Sequence, residues 1–121
     1  MARILVVDDE EETCRFLEEF LRPRGYDIFS ATTTEEGLRL VKSERPHLVL
    51  LDIRMPGRDG LSLLSEIKGI DREIGVIMVT AVREEEIAKE AMRLGADGYI
   101  TKPIDLEYLE TNILVKLLLQ K

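Results

Sequence analysis

Apolar residues in this chain fall into short bursts separated by longer stretches of helical period. Arg3–Val7 is β-branched and apolar, as a strand should be. Glu10–Leu21 follows with Cys14, Leu17, Phe20 and Leu21 at helical spacing, and Pro23 and Gly25 stop it. Tyr26–Ser30 reads as a second strand. Thr34–Ser43 reads as a helix capped by Thr33 or Thr34, with Glu35 and Glu36 in its first turn, Leu38, Leu40 and Val41 as apolar contacts, and Pro46 beyond its end. His47–Leu51 is uninterruptedly apolar after its first residue, the mark of a strand buried on both faces. Met55–Gly60 is a loop, and Leu61–Ile70 a helix turning Leu61, Leu64, Ile67 and Leu63 inward. Ile74–Val79 is a strand, and Glu84–Leu94 a helix closed by Gly95. Gly98–Thr101 is the last strand and Leu106–Leu119 the last helix.

Strands alternating with helices over short joints predict an α/β fold in which a parallel sheet is covered by helices on both faces. Five such units form a doubly wound (βα)5 three-layer sandwich, for which the common five-stranded order is 2-1-3-4-5. In that order the second strand is an edge, and strands 1, 3, 4 and 5 lie side by side about 4.8 Å apart. A length of 121 residues fits one domain over residues 1–121.

Strands 1, 3, 4 and 5 each run into a residue capable of chemistry. Ile4–Val7 leads to Asp8 and Asp9, Leu48–Leu51 to Asp52, Val76–Val79 to Thr80, and Tyr99–Ile100 to Thr101, Lys102 and Pro103. The second strand alone ends blandly, at Ser30. Open parallel sheets bind ligands outside the carboxyl ends of their strands, so three carboxylates, a hydroxyl and an ammonium meet there. Two carboxylates about 4 Å apart repel by roughly 4 kcal/mol at an effective dielectric near 20, so the group calls for a cation. Hard oxygen donors without His or Cys favour Mg²⁺, with Mn²⁺ as a substitute. Taken alone, Asp8–Glu12 is an acidic helix N-terminus favoured by the macrodipole, Thr80 a strand-end threonine and Lys102 a solvated lysine. Together they form a pocket able to neutralise a phosphoryl group carried covalently on Asp52.

The composition narrows the function class. The formal charge of −7 argues against direct nucleic-acid binding. No apolar stretch approaches the roughly 18 residues of a membrane span, and the first residues show no signal-peptide pattern, so a cytoplasmic location is expected. The single cysteine, Cys14, excludes an internal disulfide and sits on an apolar stripe with Leu17 and Leu21, as a packed core thiol would. His47 precedes the third strand, far from the site end; it reads as a surface residue and a poor phosphodonor.

The segments ILVVDDE (4–10), LVLLDIRMPGRDG (48–60), VIMVTA (76–81) and GADGYITKP (95–103), in this order and at these spacings, resemble the receiver (phosphoacceptor) domain of two-component response regulators, and the resemblance covers the whole chain. It implies a flavodoxin-like sandwich and an Mg²⁺-dependent switch that is regulatory rather than an enzyme acting on other substrates. By resemblance, Asp52 is the phosphorylated aspartate, and Asp8 and Asp9 hold Mg²⁺ with Asp52 and the backbone carbonyl of Arg54. Thr80 is the switch hydroxyl, Lys102 the phosphate-pairing lysine, and Tyr99 the aromatic residue that turns inward when Thr80 moves. The Lys102–Pro103 peptide is expected to be cis. Arg54 and Val82 occupy variable positions that in similar domains tune the phosphoryl lifetime.

The implied partners are a sensor histidine kinase or histidine phosphotransfer protein and a downstream effector, in transcription regulation. The readout surface is the fourth helix, fifth strand and fifth helix, and a homodimer through it is a further expectation. DIRMPGRDGLSLLSEIK is closest to receivers of the nitrogen-regulation type or to stand-alone receivers. Either a single-domain regulator or an excised receiver fits the absence of an effector after Lys121. Ile113, Leu114, Val115, Leu117, Leu118 and Leu119 make the last helix apolar on more than one face, which suggests a partner, a dimer or a helix continuing into a linker, beside the plain reading of a greasy C-terminal end. Two rivals share parts of this pattern. A phosphatase of the haloacid-dehalogenase type needs a second acid two residues after its nucleophile, where Asp52 has Arg54 and Asp8 has Glu10, and usually a cap domain, for which there is no room. A flavin carrier needs a Ser/Thr/Gly-rich phosphate loop, where this chain has the acidic Asp8–Glu12.

Overall fold

A computed structural model describes residues 1–120. Five parallel strands, β1 (Arg3–Val7), β2 (Asp27–Ala31), β3 (Leu48–Leu51), β4 (Gly75–Thr80) and β5 (Gly98–Thr101), pair in the order β2-β1-β3-β4-β5. The helices are α1 (Glu11–Leu21), α2 (Thr34–Glu44), α3 (Gly60–Ile70), α4 (Glu85–Arg93) and α5 (Leu106–Leu119). The expected order and the edge position of β2 are both present. A 3₁₀ turn at Arg22–Arg24, not expected from the pattern, carries α1 into Gly25, whose φ of 92° suits glycine.

The period-two alternation of the strands divides the core. Leu5, Val7, Val49, Leu51, Val76 and Met78 face α2, α3 and α4, meeting Val41, Leu63, Leu64, Ile67 and Ala91. Ile4, Val6, Leu48, Leu50, Ile77, Val79 and Ile100 face α1 and α5, meeting Cys14, Leu17, Leu21, Leu109 and Ile113. Both clusters are almost entirely buried, so β1, β3 and β4 are apolar on both faces, as a covered parallel sheet requires.

Most boundaries lie within a residue of the sequence expectation. β2 and β4 are each shifted one residue toward the carboxyl end, because backbone pairing rather than side-chain polarity sets strand ends. Ala31 and Thr80 therefore belong to the ladder, facing Val7 and Thr101. Thr33, not Thr34, caps α2, its side chain accepting the Glu36 N–H; Thr34 is wholly buried. Asp59 and Asp105 cap α3 and α5 in the same way. In α3, Leu63 is fully buried and Leu61 only partly so. Gly95, at φ 108°, ends α4 at the expected place.

Candidate functional site

The carboxyl ends of the central strands are fixed by backbone bonds that continue the sheet one residue further. The Asp52 N–H donates to the Val7 carbonyl at 3.0 Å, the Lys102 N–H to Thr80 at 2.8 Å, and the Asp8 N–H to Ala31 at 3.0 Å. Each chain leaves the sheet at the same level, which brings Asp8, Asp52, Thr80 and Lys102 together although up to 94 residues separate them. The end of β2 supplies no reactive side chain, yet it borders the site, since its Ala31 carbonyl anchors the backbone of Asp8.

Carboxylate oxygens of Asp8, Asp9 and Asp52 lie within 4.8 Å of one another. Asp8 and Asp52 are 2% and 6% exposed, whereas Asp9 lies at the surface. The Lys102 ammonium reaches 2.8 Å from Asp8 Oδ2, 3.1 Å from Asp52 Oδ2 and 3.4 Å from Glu10 Oε1. Burial pushes the Lys102 ammonium down, but its bonds to Asp8 and Asp52 outweigh this and hold it well above the usual lysine value. Burial pushes the Asp8 carboxyl up, against the bonds from Lys102 and from the Glu10 N–H.

One ammonium against three carboxylates leaves a formal excess of two negative charges. At separations below 5 Å each unscreened pair repels by several kcal/mol at an effective dielectric near 20. The donor set is all oxygen, which fits a divalent cation that retains waters or phosphate oxygens in its remaining positions. The residues present therefore fit Mg²⁺. Arg54 presents an exposed side chain, but its N–H donates to Asp52 Oδ1 at 3.3 Å, which keeps its backbone beside the carboxylate.

Thr80 is wholly buried, and its hydroxyl oxygen accepts the Val82 N–H at 3.3 Å. Tyr99 is half-buried against the cluster beneath α4, and its hydroxyl donates to the Val82 carbonyl at 2.7 Å. Thr80 and Tyr99 thus grip the same residue of the β4–α4 loop from two sides. Burial pushes the Tyr99 phenol up, with Glu84 and Asp52 adding to the shift. The Lys102–Pro103 peptide is cis, as expected.

Several contributors were not read from the sequence. At Gly60 a Cβ would lie 2.0 Å from the Asp52 carbonyl oxygen and 2.8 Å from Ile53 Cα, and the Gly60 N–H donates to the Ile53 carbonyl at 2.7 Å. Only glycine lets the start of α3 press on the backbone of Asp52; the Asp59-Gly60 pair hinted at a turn but not at this contact. Cys14 is buried as expected, and its thiol donates to the Asp8 carbonyl at 3.4 Å. Burial, with Asp8 adding, pushes that thiol up to about 11, which makes it inert. His47 is at the opposite pole of the sheet, as expected, but it is half-buried: its Nδ1 accepts the Arg3 N–H at 2.9 Å.

Residues 4–114 match the family model described as the response regulator receiver domain. The sporulation initiation phosphotransferase F of Bacillus subtilis (strain 168) is 40% identical over 105 residues, which are 87% of this chain and 85% of that protein. Regulatory protein AtoC of Escherichia coli (strain K12) is 40% identical over 118 residues, 98% of this chain but 25% of that protein, so the chain spans about a quarter of that relative. Among solved structures, a CheY-like response regulator receiver domain protein from Methanospirillum hungatei JF-1 superposes with a TM-score of 0.93 at 33% identity, covering 97% of this chain and 94% of the other.

Proposed function

This chain belongs to the response regulator receiver domain family, and from that premise we propose that Asp52 is its phosphoacceptor. Receiver domains are phosphorylation-activated switches that interact with histidine kinases and effector domains, and the relatives include transcriptional regulators. The observation that carries the residue assignment is the convergence of three carboxylates with Lys102 paired to the two buried ones. The family match lends the phosphatase alternative no support, and in the reading proposed here the acyl phosphate is the output state.

In the proposed transfer, a carboxylate oxygen of Asp52 attacks the phosphorus of a phosphohistidine. The O–P bond forms, the P–N bond breaks, and the imidazole nitrogen keeps the electron pair and takes up a proton. Held by Asp8, Asp9, Asp52 and the Arg54 carbonyl, Mg²⁺ would offset the excess negative charge and that of the transferring oxygens. Lys102 exchanges its bond to Asp52 for one to the phosphoryl group. Thr80 donates its hydroxyl to another phosphoryl oxygen and draws the β4–α4 loop with it. Tyr99, whose hydroxyl already reaches the Val82 carbonyl, fills the space that opens as Thr80 and the loop move. The added charge, about −1.5 to −2 by analogy with other phosphoryl modifications, thereby biases the α4–β5–α5 surface between two packings.

Met92 on α4 and Tyr108 and Val115 on α5 are about half exposed, and a homodimer or an effector is proposed to cover them. A transcription-linked effector fits relatives several times longer than this chain. No helix among the described residues is long and apolar enough to cross a membrane.

The deciding experiment incubates the protein with Mg²⁺ and a small phosphodonor, then measures intact mass and acid-labile phosphate. Wild type gains one phosphoryl group and Asp52→Asn gains none. Undiminished labelling of Asp52→Asn removes the assignment. Native mass spectrometry with beryllofluoride and Mg²⁺ reports dimerisation in the same samples.

A further inference from the structure

Three hydrogen bonds join the end of β4 and the β4–α4 loop to β5 and the residue after it. The Lys102 N–H donates to the Thr80 carbonyl at 2.8 Å, and the Tyr99 hydroxyl to the Val82 carbonyl at 2.7 Å. The third comes from an exposed residue that neither the fold nor the proposed chemistry otherwise uses. Arg83 Nη2 donates to the Lys102 carbonyl at 2.8 Å. Both backbone groups of Lys102 are therefore held by one four-residue stretch, its N–H by Thr80 and its carbonyl by Arg83. The ammonium of the same lysine reaches Asp8 and Asp52.

Hydrogen bonds close a ring through Thr80, Val82, Arg83 and Lys102. Its start is Thr80, whose oxygen accepts the Val82 N–H, and its end is the lysine that faces the acceptor carboxylate. The α4 N-cap, Glu84, makes no side-chain capping bond, and its carbonyl accepts the Ile87 and Ala88 N–H groups at 3.1 Å, so the helix holds the loop only at Glu84. Arg83 is the one side chain of this loop, among the described residues, whose hydrogen bond crosses to the β5–α5 connection.

We propose that Arg83 is a positioning residue that latches the loop after Thr80 to the backbone of Lys102 and so holds that loop ready for the phosphoryl oxygens that Thr80 and Lys102 receive. The proposal rests on the reading of Asp52 as phosphoacceptor. Without the latch, the bond from the Lys102 N–H to the Thr80 carbonyl remains, but the loop after Thr80 must be ordered as the ligand arrives, and the cost appears as weaker binding. A single charge-assisted bond at an exposed position corresponds to a change of between about two- and tenfold.

The test is calorimetric titration of beryllofluoride in excess Mg²⁺ into wild type, Arg83→Ala, Arg83→Lys and a control, Arg93→Ala, which removes only an exposed α4 contact to Glu90. Hydrogen exchange of the unliganded proteins is followed alongside. Arg83→Ala is expected to bind two- to tenfold more weakly and to exchange faster at residues 81–84 and 101–104. Arg83→Lys should recover part of both, and Arg93→Ala should match wild type. Wild-type affinity and exchange in Arg83→Ala would overturn the latch while leaving Asp52 in place. Equal losses in Arg83→Ala and Arg93→Ala would overturn it too, by showing a general effect of removing a surface charge. Failure of wild type to bind would overturn the Asp52 reading and the latch with it.

Discussion

Replacing Asp97 by alanine removes a carboxylate from between two ammonium groups that reach it from opposite faces of the sheet. Asp97 precedes β5. Its Oδ2 accepts the Val76 N–H at 2.8 Å and Lys68 Nζ of α3 at 3.0 Å, while its Oδ1 accepts Lys116 Nζ of α5 at 3.0 Å. The Asp97 N–H also donates to the Val76 carbonyl at 2.7 Å, so the residue extends the β4–β5 ladder with backbone and side chain together. Lys116 crosses the start of β4 because position 75 is glycine; a Cβ there would lie 2.9 Å from its Cε and Cγ. The three side chains are 14–23% exposed, between the fully buried and surface cases.

Breaking a buried pair costs about 3–5 kcal/mol, and an exposed pair contributes about 0–1 kcal/mol. Discounted for partial exposure, Asp97→Ala should cost about 2–3 kcal/mol. Lys68 keeps the Ile74 carbonyl at 2.7 Å, which limits the loss. Asp97→Asn retains an acceptor for Val76 and should cost about 1–2 kcal/mol. Urea unfolding at neutral pH measures both. Burial pushes the Asp97 carboxyl up, but the Val76 N–H, Lys116 and Lys68 together outweigh it and hold the group below its ordinary 3.8. The contribution is therefore complete above the unfolded value and lost as pH falls through the lower folded value. The gap between wild type and Asp97→Asn should be constant from neutrality down to about pH 4 and then close. An alanine variant within about 0.5 kcal/mol of wild type, or a gap that widens in acid, refutes the reasoning.

Gly60→Ala should cost at least about 2–3 kcal/mol in urea unfolding and depress phosphoryl labelling of Asp52, because the added Cβ displaces the acceptor's own backbone; wild-type values for both would show that the loop yields freely. Mg²⁺ should raise the melting temperature of wild type progressively with concentration, and Asp9→Asn should need more Mg²⁺ for the same shift; an identical response in wild type, Asp8→Asn and Asp9→Asn would remove these residues from the ligand set. Burial, with Arg3 and the N-terminal ammonium adding, holds His47 below 6.5, so its contribution is present above that value and lost as pH falls through the lower folded one. The pH dependence of unfolding in this range should flatten in His47→Gln, and an unchanged slope would mean that the Nδ1 bond to Arg3 carries no stability.

Much of this protein was legible along the chain because its determinants are local. Strands of period two and helices of period 3.6 were readable from Arg3–Val7 to Leu106–Leu119, and alternation of the two types confines the sheet to few parallel orders. The reactive strand ends were legible for the same reason: a strand of known direction says which end its last residue occupies. That placed Asp8, Asp52, Thr80 and Lys102 at one rim, and family resemblance then supplied their expected roles.

Tertiary structure alone decided which groups touch. Nothing local indicates that Lys102 bonds Asp8, that Ala31 anchors the Asp8 backbone, or that Arg83 meets the Lys102 carbonyl. The same holds for the meeting of Lys68 and Lys116 at Asp97 and for the closeness of Gly60 to Asp52. Each of these depends on strand register and on the distance at which a helix packs. Those quantities follow from the volumes of many side chains filling the two cores at once, and a shift of about one residue or one ångström in either would pair different atoms. Periodicity, read residue by residue, fixes which face and which end a group occupies, while packing fixes its neighbour.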